Sequence, residues 1–410
     1  MFSHLPVYPG DPILSLNEIF RADPRSDKVN LGIGVYLDEA GRVPTMAVLK
    51  EAAVRMNPTS GPFPYLPMDG DELYRTVVQR LLFGEHSEAV TSKRIATIQT
   101  VGGSGALKVA GDFMKAHMWP RKVYVSDPTW DNHRAIFQGS GFEVLAYRYL
   151  DESNGLVDFE GMQESLNSVE AGSIVILHAC CHNPTGADLS TEQWDSIAKL
   201  VKERGLLPLV DMAYQGFGAG LVEDSYALKS LLGQGCTFLV ASSFSKNFAL
   251  YGERCGALSV VCATQDQADL VLGQLKATVR KNYSSPPAFG CRLIAEVLDS
   301  PDLFSQWSDE LAFMRNRILS MRQQLSVLLS ESMPDHDFSR ISRQSGMFSY
   351  TGLTPDQVRL LREQHGVYLV ESGRMCVAAL SPLNVEHVAA SIAATIRTSF
   401  PTERKAEAFA

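Results

Sequence analysis

Lys246 stands just past an apolar run, Thr237-Phe238-Leu239-Val240-Ala241, with Ser242, Ser243 and Ser245 in between and Arg254 eight residues further on. A lysine that follows a buried strand can act as an amine nucleophile when burial or a nearby cation lowers its pKa. Hydroxyls and a guanidinium beside it suit a phosphate. The combination points to pyridoxal phosphate (PLP) held on the lysine as a Schiff base. The competing reading is a solvated Lys–Arg surface after a core strand.

Other chemically useful groups also fall just past predicted strands. Gly102-Gly103-Ser104-Gly105 precedes a predicted helix. Bare amides at a helix N-terminus make an anion site, although the same run also reads as a tight turn. Asp211 ends an apolar strand. A PLP ring needs a carboxylate against its pyridine nitrogen, but the residue also suits a helix cap. Asn183 also lies past a strand end, and Tyr214 is a candidate for a hydrogen bond to the ring oxygen, with a packed aromatic as its plain reading. His178, His182 and His133 invite a metal reading, but His178 and His182, four apart, fall on a predicted strand and turn rather than on one helix face, and no third ligand is evident. His133 reads as a support residue.

The elements that must position these groups alternate. Strands are predicted at 95–99, 122–126, 142–147, 173–179, 206–210, 237–241 and 256–261. Helices are predicted from Ala106 to about His117, after Trp130, and after the capping box Ser190/Gln193, which Gly205 closes. Leu73, Val77, Val78, Leu81 and Leu82 form a further helical face, closed by Gly84. Before it, the proline-rich loop 61–67 holds Tyr65. The βαβα order argues for an α/β fold with a mostly parallel sheet and helices on both faces. Ligands of such sheets sit beyond the carboxyl ends of the strands.

Residues 1–43 read as an extended arm, and the glycines of 30–36 suit either a close approach to a ligand or a weak strand. From Leu303 to Met333 there is neither glycine nor proline. Trp307, Leu311, Met314, Ile318, Met321, Leu325 and Leu328 mark one long amphipathic helix. The remainder of the chain reads as a smaller α+β domain, with short strands at 347–350 and 367–370 and a polar, fraying tail from Thr402. The expected domains are 1–43 (arm and part of the small domain), 44–310 (large) and 311–410 (small).

The chain has 410 residues, 45% of them apolar and 20% charged, with a net charge of −9. That is an ordinary globular balance, with no basic stripe for nucleic acid. Seven cysteines without CxxC or zinc spacing fit a reduced compartment. No apolar run approaches membrane-spanning length, and the first twenty residues resemble neither a signal peptide nor a presequence. A cytoplasmic protein with no membrane and no nucleic-acid partner is expected.

Together these residues closely resemble the class I aminotransferases, in their aspartate/aromatic branch, from about Pro12 to about Ile396. The motifs that carry the resemblance are Gly-Ile-Gly-Val-Tyr at 32–36, Gly-Gly-Ser-Gly at 102–105, Cys-Cys-His-Asn-Pro-Thr-Gly at 180–186 and Asp-Met-Ala-Tyr-Gln-Gly-Phe at 211–217. Ser-Ser-Phe-Ser-Lys-Asn-Phe at 242–248, Arg-Lys-Asn-Tyr-Ser-Ser-Pro-Pro at 280–287 and Ser-Gly-Arg at 372–374 complete the set.

The resemblance implies a PLP-dependent transferase of fold type I. It also implies a homodimer with shared active sites and a small domain that closes over the substrate. By position, Lys246 is the Schiff-base lysine and proton shuttle. Asp211 pairs with the pyridine nitrogen, with His133 behind it. Tyr214 and Asn183 bond the phenolic oxygen, and Trp130 stacks on the ring. Gly103, Ser104, Ser243, Ser245 and Arg254 hold the phosphate, with Tyr65 from the other subunit. Arg374 forks onto the substrate α-carboxylate near Gly34, and Trp130 and Asn183 also border the substrate. Arg280, from the neighbouring subunit, takes the side-chain carboxylate of dicarboxylic substrates. Ser104 and Ser285 resemble the aromatic branch.

The expected reaction is transfer of an amino group between aromatic L-amino acids (and aspartate) and 2-oxoglutarate, by a ping-pong PLP/pyridoxamine phosphate mechanism. The alternative is a strict aspartate aminotransferase. A lyase or decarboxylase on the same fold is a further rival, which the pair Arg280 and Arg374 argues against.

Overall fold

The computed structural model describes residues 2, 4–6, 10, 12–57, 64–118 and 122–399. The start of the 61–67 loop and the tail from Thr402 lie outside them, as do several residues of the 1–43 arm. Two compact units are present, Pro44–Arg317 and a smaller one made of Met1–Val43 with Ile318–Ala410.

The larger unit is built on a seven-stranded sheet. From one edge its strands are Ile95–Val101, Cys255–Val261, Phe238–Ser243, Leu207–Met212, Ile174–His178, Val123–Asp127 and Val144–Arg148. Cys255–Val261 runs antiparallel to both of its neighbours, and the remaining pairings are parallel. Ile174–His178 is buried at every position. That explains its unbroken apolar run: a parallel strand covered on both faces has no side left for alternating polar residues. Ala106, Leu107, Val109, Ala110, Phe113 and Met114 on helix Gly102–His117 join Ile98, Val125, Ile176, Leu209, Leu239 and Leu258 of the strands in one core.

The local signals place most elements within a few residues. The capping box at Ser190 and Gln193 is made in both directions and starts helix Thr191–Glu203. In the larger unit three expectations need correction. The helix expected from Ala106 begins at Gly102, so the glycines form its first turn. Asp211 lies inside its strand rather than ending it. On helix Glu72–Phe83, Tyr74 is buried and Leu73 exposed, because the Tyr74 hydroxyl reaches the Gly256 carbonyl at 3.0 Å.

In the smaller unit the expected arm contains a helix, Pro12–Ala22. Val29–Asn30 pairs in parallel with Val367–Tyr368, and Phe348–Tyr350 pairs with Arg374–Cys376. The long helix is Pro301–Ser332, with residues 301–317 in the larger unit and 318–332 in the smaller. Its buried stripe passes through Trp307, Leu311, Met314, Ile318, Met321 and Leu325, then falls on Leu329 rather than Leu328. A 3.5-residue pattern drifts against a 3.6-residue helix, and by the last turns the drift amounts to one position.

Candidate active site

The carboxyl ends of the parallel strands carry the chemistry. His178 is registered with Asp211, and Asp211 with Ala241, in adjacent strands. Phe238–Ser243 then delivers the chain to Ser245 and Lys246 at the same edge.

Asp211 is buried, and its carboxylate lies 3.0 Å from His133 Nε2. A carboxylate only accepts, so Nε2–H donates. The Thr129 hydroxyl, 2.8 Å from Nδ1, holds the other side of the ring. Burial by itself raises the Asp211 carboxyl, but the His133 hydrogen bond and the nearby His133, His178 and Lys246 outweigh it, so the group sits below its ordinary range. The site therefore keeps a buried negative charge. The Trp130 and His133 rings meet edge to face at a centroid distance of 5.4 Å.

Lys246 Nζ stands 5.3 Å from the centre of the Tyr214 ring. Asn183 Nδ2 donates to the Tyr214 hydroxyl at 3.4 Å. Lysine, carboxylate, phenol and amide are thus gathered by three neighbouring strands.

Beside them is a cradle of donors. Arg254 Nη1 donates to Ser245 Oγ at 3.3 Å and to the Tyr251 carbonyl at 3.0 Å. Ser243 Oγ donates to Ser245 Oγ at 3.3 Å. Gly102 has a φ of +67°, and a Cβ there would collide with the Arg254 guanidinium. A Cβ at Gly103 would press on Ser243 at 3.0 Å. Among the described residues no carboxylate pairs with Arg254. Two hydroxyls, a guanidinium and the first turn of helix Gly102–His117, which includes Ser104, face one another without an anion of their own. That donor set fits a phosphate.

The histidines pack against one another and against neighbouring hydroxyls. His182 bonds Ser126 at 2.9 Å and Thr185 at 2.8 Å. It stacks on Tyr149 at 4.0 Å and lies 4.2 Å from the His178 ring. Burial, then His133, pushes His178 down to about 3. Among the described residues one group with possible metal donors occurs, Cys180, Cys181 and Asp224. The Asp224 carboxylate there is already taken by the N–H groups of Gly216, Gly218 and Ala219 at 2.8–2.9 Å.

Tyr65 and Arg280 are placed elsewhere. Tyr65 is 95% exposed. With Arg280 and Ser285 it lines a surface cavity of about 870 Å³ that also includes Lys276 and Ser284. Arg280 is exposed and donates to the Ser284 hydroxyl.

In the smaller unit, Arg374 is buried on strand Arg374–Cys376 and donates to the Gly32 carbonyl at 2.7 Å. Its guanidinium lies 4.6 Å from the centre of the Phe348 ring. A Cβ at Gly34 would press on that ring at 2.9 Å, which explains the second glycine of the 32–36 motif. Sequence reasoning missed Thr129 and Phe348. Thr129 had a usable signal, four residues before His133; Phe348 depends on a contact with a residue farther along the chain.

The model of the aminotransferase class I and II family matches residues 26–392. The chain belongs to this family. The aromatic-amino-acid aminotransferase of Escherichia coli K12 is 52% identical over 397 residues, covering 97% of this chain and all of that protein. The aspartate aminotransferase of Pseudomonas aeruginosa PAO1 is 46% identical over 392 residues, 96% of this chain and 98% of the relative. The crystal structure of the aromatic-amino-acid aminotransferase of Burkholderia pseudomallei, covalently bound to pyridoxal phosphate, superposes with a TM-score of 0.94. It is 48% identical and covers 96% of this chain and 99% of its own. This aminotransferase therefore has the fold expected for a PLP-dependent enzyme, and its donor cradle, buried Asp211 and Lys246 fit that cofactor.

Proposed function

We propose that this aminotransferase moves amino groups between aromatic L-amino acids, and aspartate, and 2-oxoglutarate. The observation that carries the substrate reading is Arg280: exposed, held by the Ser284 hydroxyl, and without a carboxylate partner among the described residues. A guanidinium in that state can fork onto the distal carboxylate of aspartate, glutamate or 2-oxoglutarate. Tied down by a hydroxyl rather than by an ion pair, it can also swing aside for an aromatic ring. Ser285 in the same cavity, Ser104 in the cradle and the names of the relatives support the aromatic side of the reading.

When bound, pyridoxal phosphate supplies the carbonyl that receives the amino group and an electron-poor ring that takes up the electron pair left at the substrate Cα. Lys246 Nζ is the proposed base that removes the Cα proton and returns it, the positioned proton transfer that general base catalysis requires. Asp211 keeps its negative charge where a ring nitrogen would be held protonated, and His133 fixes the carboxylate. Tyr214 and Asn183 orient the ring oxygen, and Trp130 covers the ring. Gly103, Ser104, Ser243, Ser245 and Arg254 bind the phosphate, with Tyr65 reaching a neighbouring chain's site. Arg374 binds the α-carboxylate beside Gly34.

The large PLP-binding domain is proposed as 44–310, with 311–410 and the 1–43 arm forming the small domain. A homodimer is supported by the exposure of Tyr65 and Arg280, which offers them to a second chain. A cytoplasmic location is supported by seven buried cysteines, none of them in a disulfide. No helix among the described residues is long and apolar enough to cross a membrane.

The test compares kcat/KM for phenylalanine, tyrosine and aspartate with 2-oxoglutarate as acceptor, alongside a spectral titration of the purified enzyme with each amino acid. Aromatic turnover within about a hundredfold of that for aspartate is expected, a gap of about 3 kcal/mol. Negligible aromatic turnover would leave a strict aspartate aminotransferase, the reading that the 46% identical relative favours.

A further inference from the structure

The loop that carries Tyr65 and the segment that carries Arg280 and Ser285 are far apart in sequence, yet both are fastened to one side chain. Gln99 lies in strand Ile95–Val101 and is 1% exposed. Its Nε2 donates to the Pro287 carbonyl at 2.6 Å, and its Oε1 accepts the Asp71 N–H at 3.1 Å. Its backbone N–H donates to the Asp69 carbonyl at 2.9 Å, and its carbonyl accepts the Tyr283 hydroxyl at 3.4 Å. One residue of the sheet thus holds 69–71 on one side and 283–287 on the other.

A second tie runs in parallel. The buried Asp69 carboxylate is paired with Lys276 at 3.1 Å and with Arg75 at 3.3 Å. Lys276 stands one turn before Arg280 on helix Gln265–Asn282. The cavity lined by Tyr65, Lys276, Arg280 and Ser285 lies between these anchored segments. Replacing this buried amide takes both ties away at once: the Pro287 carbonyl, on an exposed residue, and the Asp71 N–H, on a half-buried one, lose their shared anchor and are free to move apart.

The geometry points to Gln99 as a positioning residue that sets Arg280 and Tyr65 relative to each other, and through Arg280 sets the discrimination between dicarboxylic and aromatic substrates. This rests on the reading of Arg280 as the ligand of the second carboxylate. Gln99 acts through the segments it holds and touches no reacting atom. A displacement of about 1 Å at such a ligand can cost about a hundredfold in rate. An aromatic side chain, which makes no forked contact with Arg280, is less sensitive to that displacement.

The test uses steady-state kinetics of the PLP-loaded enzyme with aspartate and with phenylalanine. Gln99→Met keeps the volume and removes both polar ties. Gln99→Glu keeps the acceptor for the Asp71 N–H but turns an oxygen toward the Pro287 carbonyl. Lys276→Met cuts the second tie from its more exposed end and serves as the folded alternative if the buried substitutions lower expression. Arg280→Ala is the reference. The expected result is a rise of about tenfold or more in KM for aspartate in Gln99→Met and Gln99→Glu, a smaller rise in Lys276→Met, and phenylalanine parameters within about threefold of the parent. Equal losses for both substrates, or no change for either, overturn the inference. If Arg280→Ala itself fails to separate the two substrates, the fault lies in the reading of Arg280. If Arg280→Ala separates them and the Gln99 and Lys276 variants do not, the fault lies in the role given to Gln99.

Discussion

His133 Nε2 lies 3.0 Å from the Asp211 carboxylate, and both groups are buried. The Thr129 hydroxyl closes the far side of the imidazole at 2.8 Å. The carboxylate is therefore held in one place with its charge intact, although burial alone would favour the neutral acid. Asp211→Asn keeps the shape and removes the charge. Its kcat should fall by about 10²–10³-fold, the loss typical when one preorganised electrostatic partner is taken away. A kcat within a factor of about three would remove Asp211 from the chemistry.

Lys246→Ala tests the lysine itself. The alanine variant should lose turnover by at least about 10²–10⁴-fold, the usual contribution of a positioned acid–base group. The absorbance of the cofactor-loaded protein should change as well, because the covalent link to Nζ can no longer form. Near-normal turnover, followed by product formation from phenylalanine and aspartate, would refute the assignment.

In the smaller unit, Arg322 is buried and donates to the carbonyls of Ile341, Gly346 and Phe348 at 2.9, 2.8 and 2.7 Å. Phe348 in turn lies beneath Arg374. Arg322→Met keeps the apolar stem and abandons three buried acceptors. A loss of about 3 kcal/mol or more is expected, read as a lower urea midpoint at unchanged m-value. An unchanged midpoint would mean that those carbonyls find other partners.

His178 makes stability depend on pH. Its Nε2 is buried without a hydrogen-bond partner, and its folded pKa is depressed to about 3, chiefly by burial. In the unfolded chain a histidine titrates near 6.5. Between those values the unfolded chain binds a proton that the folded chain refuses, so the stability present above about 6.5 is lost as pH falls, at about 1.4 kcal/mol per pH unit for this group. His182, also held well below its ordinary value by burial and by His178, acts in the same direction. Thermal midpoints measured from pH 7.5 down to pH 5 should fall, and more steeply for the parent than for His178→Asn. Parallel curves would count against this account.

Much of the fold and the site is legible in the amino-acid order. The capping box at Ser190 and Gln193, the apolar strand Ile174–His178 and the glycine-free long helix are local patterns, and each forms where the pattern puts it. The functional residue types can also be named, since a lysine, a carboxylate and an arginine past strand ends suggest a chemistry on their own. The phase of the long helix past Leu325 is not legible, nor is the helical start at Gly102. The first depends on drift accumulated over many turns. The second lies at a glycine whose positive φ and close approach to the distant Arg254 guanidinium no neighbouring residue reports.

The sequence by itself determined the strands of the large sheet, the long helix, and which side chains have the chemistry to bind a phosphate, hold a ring and move a proton. Periodicity and turn residues act over a few positions, so a linear reading reaches that far. Only the tertiary structure decided which distant residues meet: Arg254 with Ser245 and Gly102, Arg322 with three carbonyls, and Gln99 with Asp71 and Pro287. Within the larger unit those meetings depend on strand order, with Cys255–Val261 seated between Ile95–Val101 and Phe238–Ser243. Strand order is settled by packing and by the pairing of buried polar groups across the whole unit, and it leaves no periodic mark on any one segment.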